Sequence, residues 1–191
     1  MIIIPIKLAF LRACTSGQLF FSGHYKEIET VELLRDMLQY EEEIRVKYDQ
    51  DVYKWCYWLI VKMLSIKEFG MDDAVQFAIF AAEKSLHVFE ESYPEDNGPR
   101  QAIDVAKALR SYEPCSWKSL EEAKTAIRQA VEFSSGRASD SAYSALFALR
   151  ASYCDPGTLL ASAAYYAINA DPSLKDEILE FGIELLQEEE E

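Results

Sequence analysis

Two histidines, four cysteines and 33 carboxylates are the side chains from which a catalytic or metal-binding site would have to be assembled. Histidine titrates near neutrality, and with cysteine and carboxylate it makes up the usual zinc ligands. His24 and His87 lie far apart, and neither sits in the short spacing of a helical zinc site or a histidine-based hydrolase. Helical bundles also build di-metal centres from paired Glu-x-x-His motifs, of which this chain has none. Glu83 precedes His87 by one helical turn, so the expectation is a hydrogen-bonded pair on one helix face, with His87 packing or capping near the helix end. His24 follows Gly23 and reads as a loop residue. No glycine-rich phosphate loop and no Gly-x-Ser-x-Gly elbow is present, so no catalytic residue, cofactor or metal ligand is assigned. Cys14, Cys56, Cys115 and Cys154 are widely spaced, and Cys56 and Cys154 fall in apolar runs, where reduced thiols pack as small hydrophobes.

The chain has 191 residues, half of them hydrophobic, with only seven glycines and six prolines. That composition suits an ordered globule, and the reading is one helical domain over 1–191 with a frayed acidic tail at 187–191. Net charge is −14, which disfavours direct nucleic-acid binding, since that is driven by lysine and arginine. Residues 1–99 carry 17 acids and 10 bases, residues 100–150 carry 6 and 8, and residues 151–191 carry 10 and 1, so a mildly basic middle lies between acidic ends. The apolar Met1-Ile2-Ile3-Ile4-Pro5-Ile6 stops at Lys7, too short for a bilayer span or a secretory signal. A cytoplasmic protein without a membrane partner is expected; oligomeric state is left open.

The elements follow from apolar spacing. Pro5 to Cys14 predicts a short helix ending near Ser16-Gly17, although the isoleucine run also fits a strand. Val31, Leu33, Leu34, Met37 and Leu38 mark one face of a helix from Thr30. From Asp51 to Leu64 the chain is apolar on nearly every side, as in a central core helix. Met71-Asp72-Asp73 supplies a capping carboxylate for a helix carrying Ala74, Phe77, Ala78, Ala81, Ala82, Leu86 and Phe89 to about Ser92. Further helices are expected from Pro99, from Ser119 as cap with closure at Gly136, over Ser139 to Cys154, over Thr158 to Ala170, and from Asp171-Pro172-Ser173. The fold class is therefore all-α: a multi-helix bundle or helical array of about eight to ten helices.

The segment joining the two best-defined helices is Phe89-Glu90-Glu91-Ser92-Tyr93-Pro94-Glu95-Asp96-Asn97-Gly98-Pro99-Arg100-Gln101-Ala102-Ile103. With the preceding Ala81-Ala82-Glu83-Lys84-Ser85-Leu86-His87-Val88 it resembles the helix, Tyr-Pro-acid turn and Arg-x-Ala-Ile helix start of helical immunity proteins of bacterial polymorphic-toxin systems. The similarity is clearest from Phe77 to Leu109, and the chain departs from the pattern in having no histidine between Ser139 and Ala170. Pro94, Asp96 and Arg100 match the turn motif. The resemblance implies a non-catalytic protein that binds and neutralises a cognate toxin.

An acidic chain suits a basic toxin domain as protein partner, with complementary fields raising the association rate. Acids beside an aromatic make Glu90, Glu91, Tyr93 and Glu95 the candidate partner-binding residues. Glu83, Pro94, Asp96 and Arg100 are read as structural: Asp96 capping the next helix, Arg100 pairing with Glu83 or a neighbouring acid. A second reading is a ligand-binding protein or enzyme with a pocket lined by Trp55, Trp58, Trp117 and tyrosines. A third, an acidic mimic of nucleic acid, fits less well with the basic middle.

Overall fold

The computed structural model describes residues 2–3, 13–66, 70–112, 115–153 and 159–187. In chain order these form β1 (Ile2–Ile3), α1 (Thr15–His24), β2 (Ile28–Glu29), α2 (Thr30–Gln39), α3 (Glu41–Tyr48), α4 (Val52–Ile66) and α5 (Gly70–Ser92). There follow α6 (Gly98–Arg110), α7 (Trp117–Phe133), α8 (Gly136–Ala151), α9 (Leu159–Ala170), a 3-10 turn (Pro172–Leu174) and α10 (Lys175–Gln187). Ten α-helices among the described residues make the architecture all-α, as apolar periodicity predicts. The extended segments form one short antiparallel pair, Ile2 opposite Glu29 and Ile3 opposite Ile28. None of the described helices is long and apolar enough to cross a membrane.

Alanine spacing builds the centre. Ala74, Ala78, Ala81 and Ala82 of α5, Ala142, Ala145 and Ala148 of α8, and Ala163, Ala164 and Ala167 of α9 are all fully buried, and these three helices pack on one another. Small side chains at the contacts let the helix axes come close. Two buried hydroxyls tie them together: Ser141 Oγ donates to the Ser85 carbonyl at 2.7 Å, and Ser144 Oγ donates to the Ala163 carbonyl at 2.8 Å. The apolar α4 lies against α5, α9 and α10, while α6 and α7 pair with each other and rest on α8. Phe20 of α1 brings its ring to Tyr40 at 5.6 Å, Tyr48 at 6.1 Å and Trp55 at 5.9 Å, so one aromatic anchors the N-terminal helices to α4.

Several boundaries differ from the sequence reading. The helix proposed over Pro5 to Cys14 lies largely outside the described residues, and Cys14 caps α1, its sulfur accepting the Gly17 N–H at 3.4 Å, so a helix begins where one was expected to end. Thr15-Ser16-Gly17 suits a first turn as well as a terminus, which is why composition misleads there. His24 is the last residue of α1, not a loop residue; its Nδ1 lies 2.8 Å from the Phe20 carbonyl oxygen. The cap of α7 is Ser116, which accepts the Ser119 N–H at 3.0 Å, and Ser119 is inside the first turn. Gly136 does not close α7; it opens α8 with φ of 58°, a conformation that favours glycine. Asp72 and Asp73 lie in the first turn of α5, which starts at Gly70, and α3 was not foreseen. Cys154 and the acidic end from 188 lie outside the described residues.

Candidate functional site

The acidic connection between α5 and α6 is a short, fully determined turn. Pro94 cannot continue a helix, and its fixed φ suits the second position of a β-turn. The Asp96 N–H accordingly donates to the Tyr93 carbonyl at 3.1 Å, and the Tyr93 N–H closes α5 by donating to Phe89 at 2.8 Å. Asp96 Oδ1 then accepts the Gly98 N–H at 2.9 Å, meeting one of the donors left free at the start of α6. It does so from one residue before the N-cap position, which is Asn97, whose own side chain makes no capping bond, so Asp96 is a turn residue and not the expected cap. Gly98 and Pro99 are buried beneath the turn. The Tyr93 ring stacks on the fully buried Phe89, centroids 5.1 Å apart, so a half-exposed aromatic is held in place from below.

Because the turn is tight, α6 returns antiparallel along α5, and the order of ion pairs follows. Arg100, at the start of α6, reaches Glu90, at the end of α5: Nε donates to Oε1 at 2.7 Å and Nη2 lies 2.6 Å from it. Glu83, two turns back along α5, pairs with Lys107, two turns on along α6. Arg100 therefore takes the neighbouring acid and not Glu83. Of the four partner-binding candidates, Glu90 is committed to this internal pair, whereas Glu91 and Glu95 are exposed and have no cation within ion-pair distance among the described residues. Glu91, Tyr93 and Glu95 thus form an acidic aromatic tip, with Glu83, Glu90, Pro94, Asp96 and Arg100 setting its shape.

His87 does not pair with Glu83. Its Nδ1 lies 2.9 Å from the Lys84 carbonyl oxygen, and its Nε2 lies 3.3 Å from Asp171 Oδ2 in the connection after α9. Asp171 also accepts the Ser173 N–H at 3.0 Å and the Ser173 hydroxyl at 2.8 Å, and it faces Arg137 Nη2 of α8 at 3.8 Å. The hydrogen bonds from Ser173, then the nearby His87 and Arg137, hold the Asp171 carboxyl below the usual carboxylate range. A depressed carboxyl contributes stability above its unfolded value, about 3.9 for aspartate, and loses it as pH falls through the folded one. Asp171→Ala should cost about 1 kcal/mol at pH 7, the ordinary worth of a capping side chain. In urea titrations the difference from the parent should vanish as pH falls through that lowered value; a difference that survives below it would contradict this role.

The remaining reactive side chains take structural places. Burial pushes the Cys56 thiol up, so it stays protonated within the core. Tyr57 is raised for the same reason and donates to the Lys175 carbonyl at 3.1 Å, tying α4 to α10. Among the described residues no three His, Cys, Asp or Glu side chains come together as a set that could hold a metal ion. Trp55 and Trp58 line one cavity, but Trp117 is not with them: it stands 73% exposed at the start of α7, near the Lys124 ammonium at 5.4 Å. That exposed tryptophan escaped the sequence reading because nothing beside it signals which way the first residue of α7 faces. Comparison with protein-family models, with curated proteins and with solved structures gives no match.

Proposed function

We propose that the chain is a non-catalytic, acidic protein-binding module of the immunity type, which neutralises a basic toxin domain by binding it through the tip formed by Glu91, Tyr93 and Glu95. The observation that carries this reading is the tip itself. Two exposed carboxylates without ion-pair partners among the described residues flank an aromatic ring that is already held in place, on a turn fixed by proline, the Asp96 side chain and the Arg100–Glu90 pair. A preordered aromatic loses little conformational entropy on binding, and unpaired carboxylates add charge steering. The net charge of −14 extends that attraction beyond the tip. The resemblance over Phe77 to Leu109 supports the same reading, with the protein acting in the bacterial cytoplasm and needing no cofactor.

The test is co-expression with the product of the adjacent gene, followed by binding of the two purified proteins. Rescue of growth and a saturable complex are expected. Glu91→Lys with Glu95→Lys should weaken the complex about tenfold or more, equivalent to about 1.4 kcal/mol. Its urea midpoint should stay close to that of the parent, since neither side chain makes an internal ion pair among the described residues. Failure to bind or neutralise any neighbouring gene product would remove the immunity reading, and unchanged affinity in the double variant would remove the tip from it.

A further inference from the structure

A cavity of about 280 Å³ lies where α1, α2 and α4 meet, away from the α5–α6 turn. Its walls come from Phe20 and Phe21 of α1, Leu33 and Met37 of α2, and Trp55 and Trp58 of α4. These rings and branched chains offer apolar surface with little competing polarity, which is how small-molecule sites are built. An apolar cavity of roughly 150 Å³ holds one benzene ring, so this one takes a ligand of roughly 10 to 15 non-hydrogen atoms. The Trp55 Nε1 is buried beneath this surface and has no hydrogen-bond partner among the described residues.

Among the described residues Lys54 is the single charged residue of the lining, and it is exposed at the cavity's edge. Its ammonium has no carboxylate within ion-pair distance among the described residues and lies 5.1 Å from the Tyr165 ring centroid. In a chain of net charge −14 an unpaired cation beside an apolar cavity is a distinct choice of sign. We infer that this cavity binds a small apolar carboxylate, its hydrocarbon among Phe20, Trp55 and Trp58 and its charge at Lys54. The site is independent of the protein-binding tip.

Tryptophan fluorescence reads this directly, once exposed Trp117 is replaced by phenylalanine so that the signal comes from Trp55 and Trp58. Decanoate and decanol, equal in chain length, are the probes. Saturable quenching by decanoate, at least tenfold tighter than by decanol, is expected, and Lys54→Met should remove that preference. Gly17 also lines the cavity, and among the described residues a Cβ there would meet only Cys14 Sγ, at 3.5 Å. Gly17→Leu, in an exposed-side first turn and without loss of core packing, should therefore fill the space and weaken both probes at least tenfold. No saturable change, equal binding of the two probes, or indifference to Gly17→Leu would each overturn the proposal.

Discussion

Replacing Gly182 by valine is expected to cost the fold about 3 kcal/mol, at the upper end of what overpacking a well-filled core produces. Gly182 sits on the face of α10 that meets α4 and α5, where even a single Cβ would lie 2.7 Å from Ile60 Cδ1 and 2.9 Å from Phe77 Cε2. Ile60 and Phe77 are both fully buried, so neither can swing into open space to yield. The absence of a side chain is what lets α10 close over α4 and α5, and the strain should be relieved from the other side. Gly182→Ala should be destabilising alone and partly rescued by Ile60→Val, because the shortened side chain removes the nearest clashing atom. Urea denaturation of the two single variants and the pair measures this coupling; strict additivity would mean that the contact does not limit the packing.

A loss of about 2 kcal/mol is expected for Gly98→Val, within the range for forced backbone displacement in a packed region. A Cβ at Gly98 would lie 2.9 Å from the Ala126 carbonyl oxygen and 3.1 Å from its carbon, which belong to the backbone of α7 and cannot rotate away. The same Cβ would come 3.1 Å from Asp96 Oδ1, the oxygen that accepts the Gly98 N–H. The substitution thus pushes α6 from α7 and disturbs the acidic turn together, so partner binding should fall along with stability. Gly23→Ala is the matched control: nothing lies within 4 Å of its Cβ, and exchanging glycine for alanine in a helix should be neutral or stabilising by up to about 1 kcal/mol. Equal losses at Gly98 and Gly23 would show that close approach of α6 and α7 is not the cause.

The helices that frame the turn were legible because their signals agree. Ala74 to Phe89 repeats at helical spacing, Pro94 forbids continuation, and Gly98-Pro99 suits the first turn of the next helix. The pairing of Arg100 was not legible in the same way, because periodicity along one helix says nothing of register against another. The tight Tyr93-to-Asp96 turn resolves it, since the first residues of α6 can only lie opposite the last residues of α5. Helix α3 was missed for a different reason. Only Ile44 of Glu41-Glu42-Glu43-Ile44-Arg45-Val46-Lys47-Tyr48 is buried and Val46 is 73% exposed, so no apolar stripe exists to be read. What supports it on the surface is ion pairing at helical spacing, Arg45 to Glu42 and Lys47 to Glu43 at 3.4 Å. Trp55 and Trp58 share a face of α4 at i, i+3 spacing, but the Phe20, Leu33 and Met37 walls opposite them come from α1 and α2, a juxtaposition between distant segments that spacing cannot disclose.

The claim that the acidic aromatic tip receives a protein partner is tested most directly by the association rate of the purified pair, the chain and the neutralised product of its adjacent gene. In stopped-flow mixing, the rate constant for the parent should fall steeply with added salt, because exposed carboxylates act over a distance that ions screen. For Glu91→Lys with Glu95→Lys it should be slower at low salt and fall less steeply with added salt, the rest of the negative charge still attracting a basic partner. Parent and double variant associating at the same rate across the salt series would contradict the account, since the two carboxylates that the fold leaves unpaired would then have no part in finding the partner.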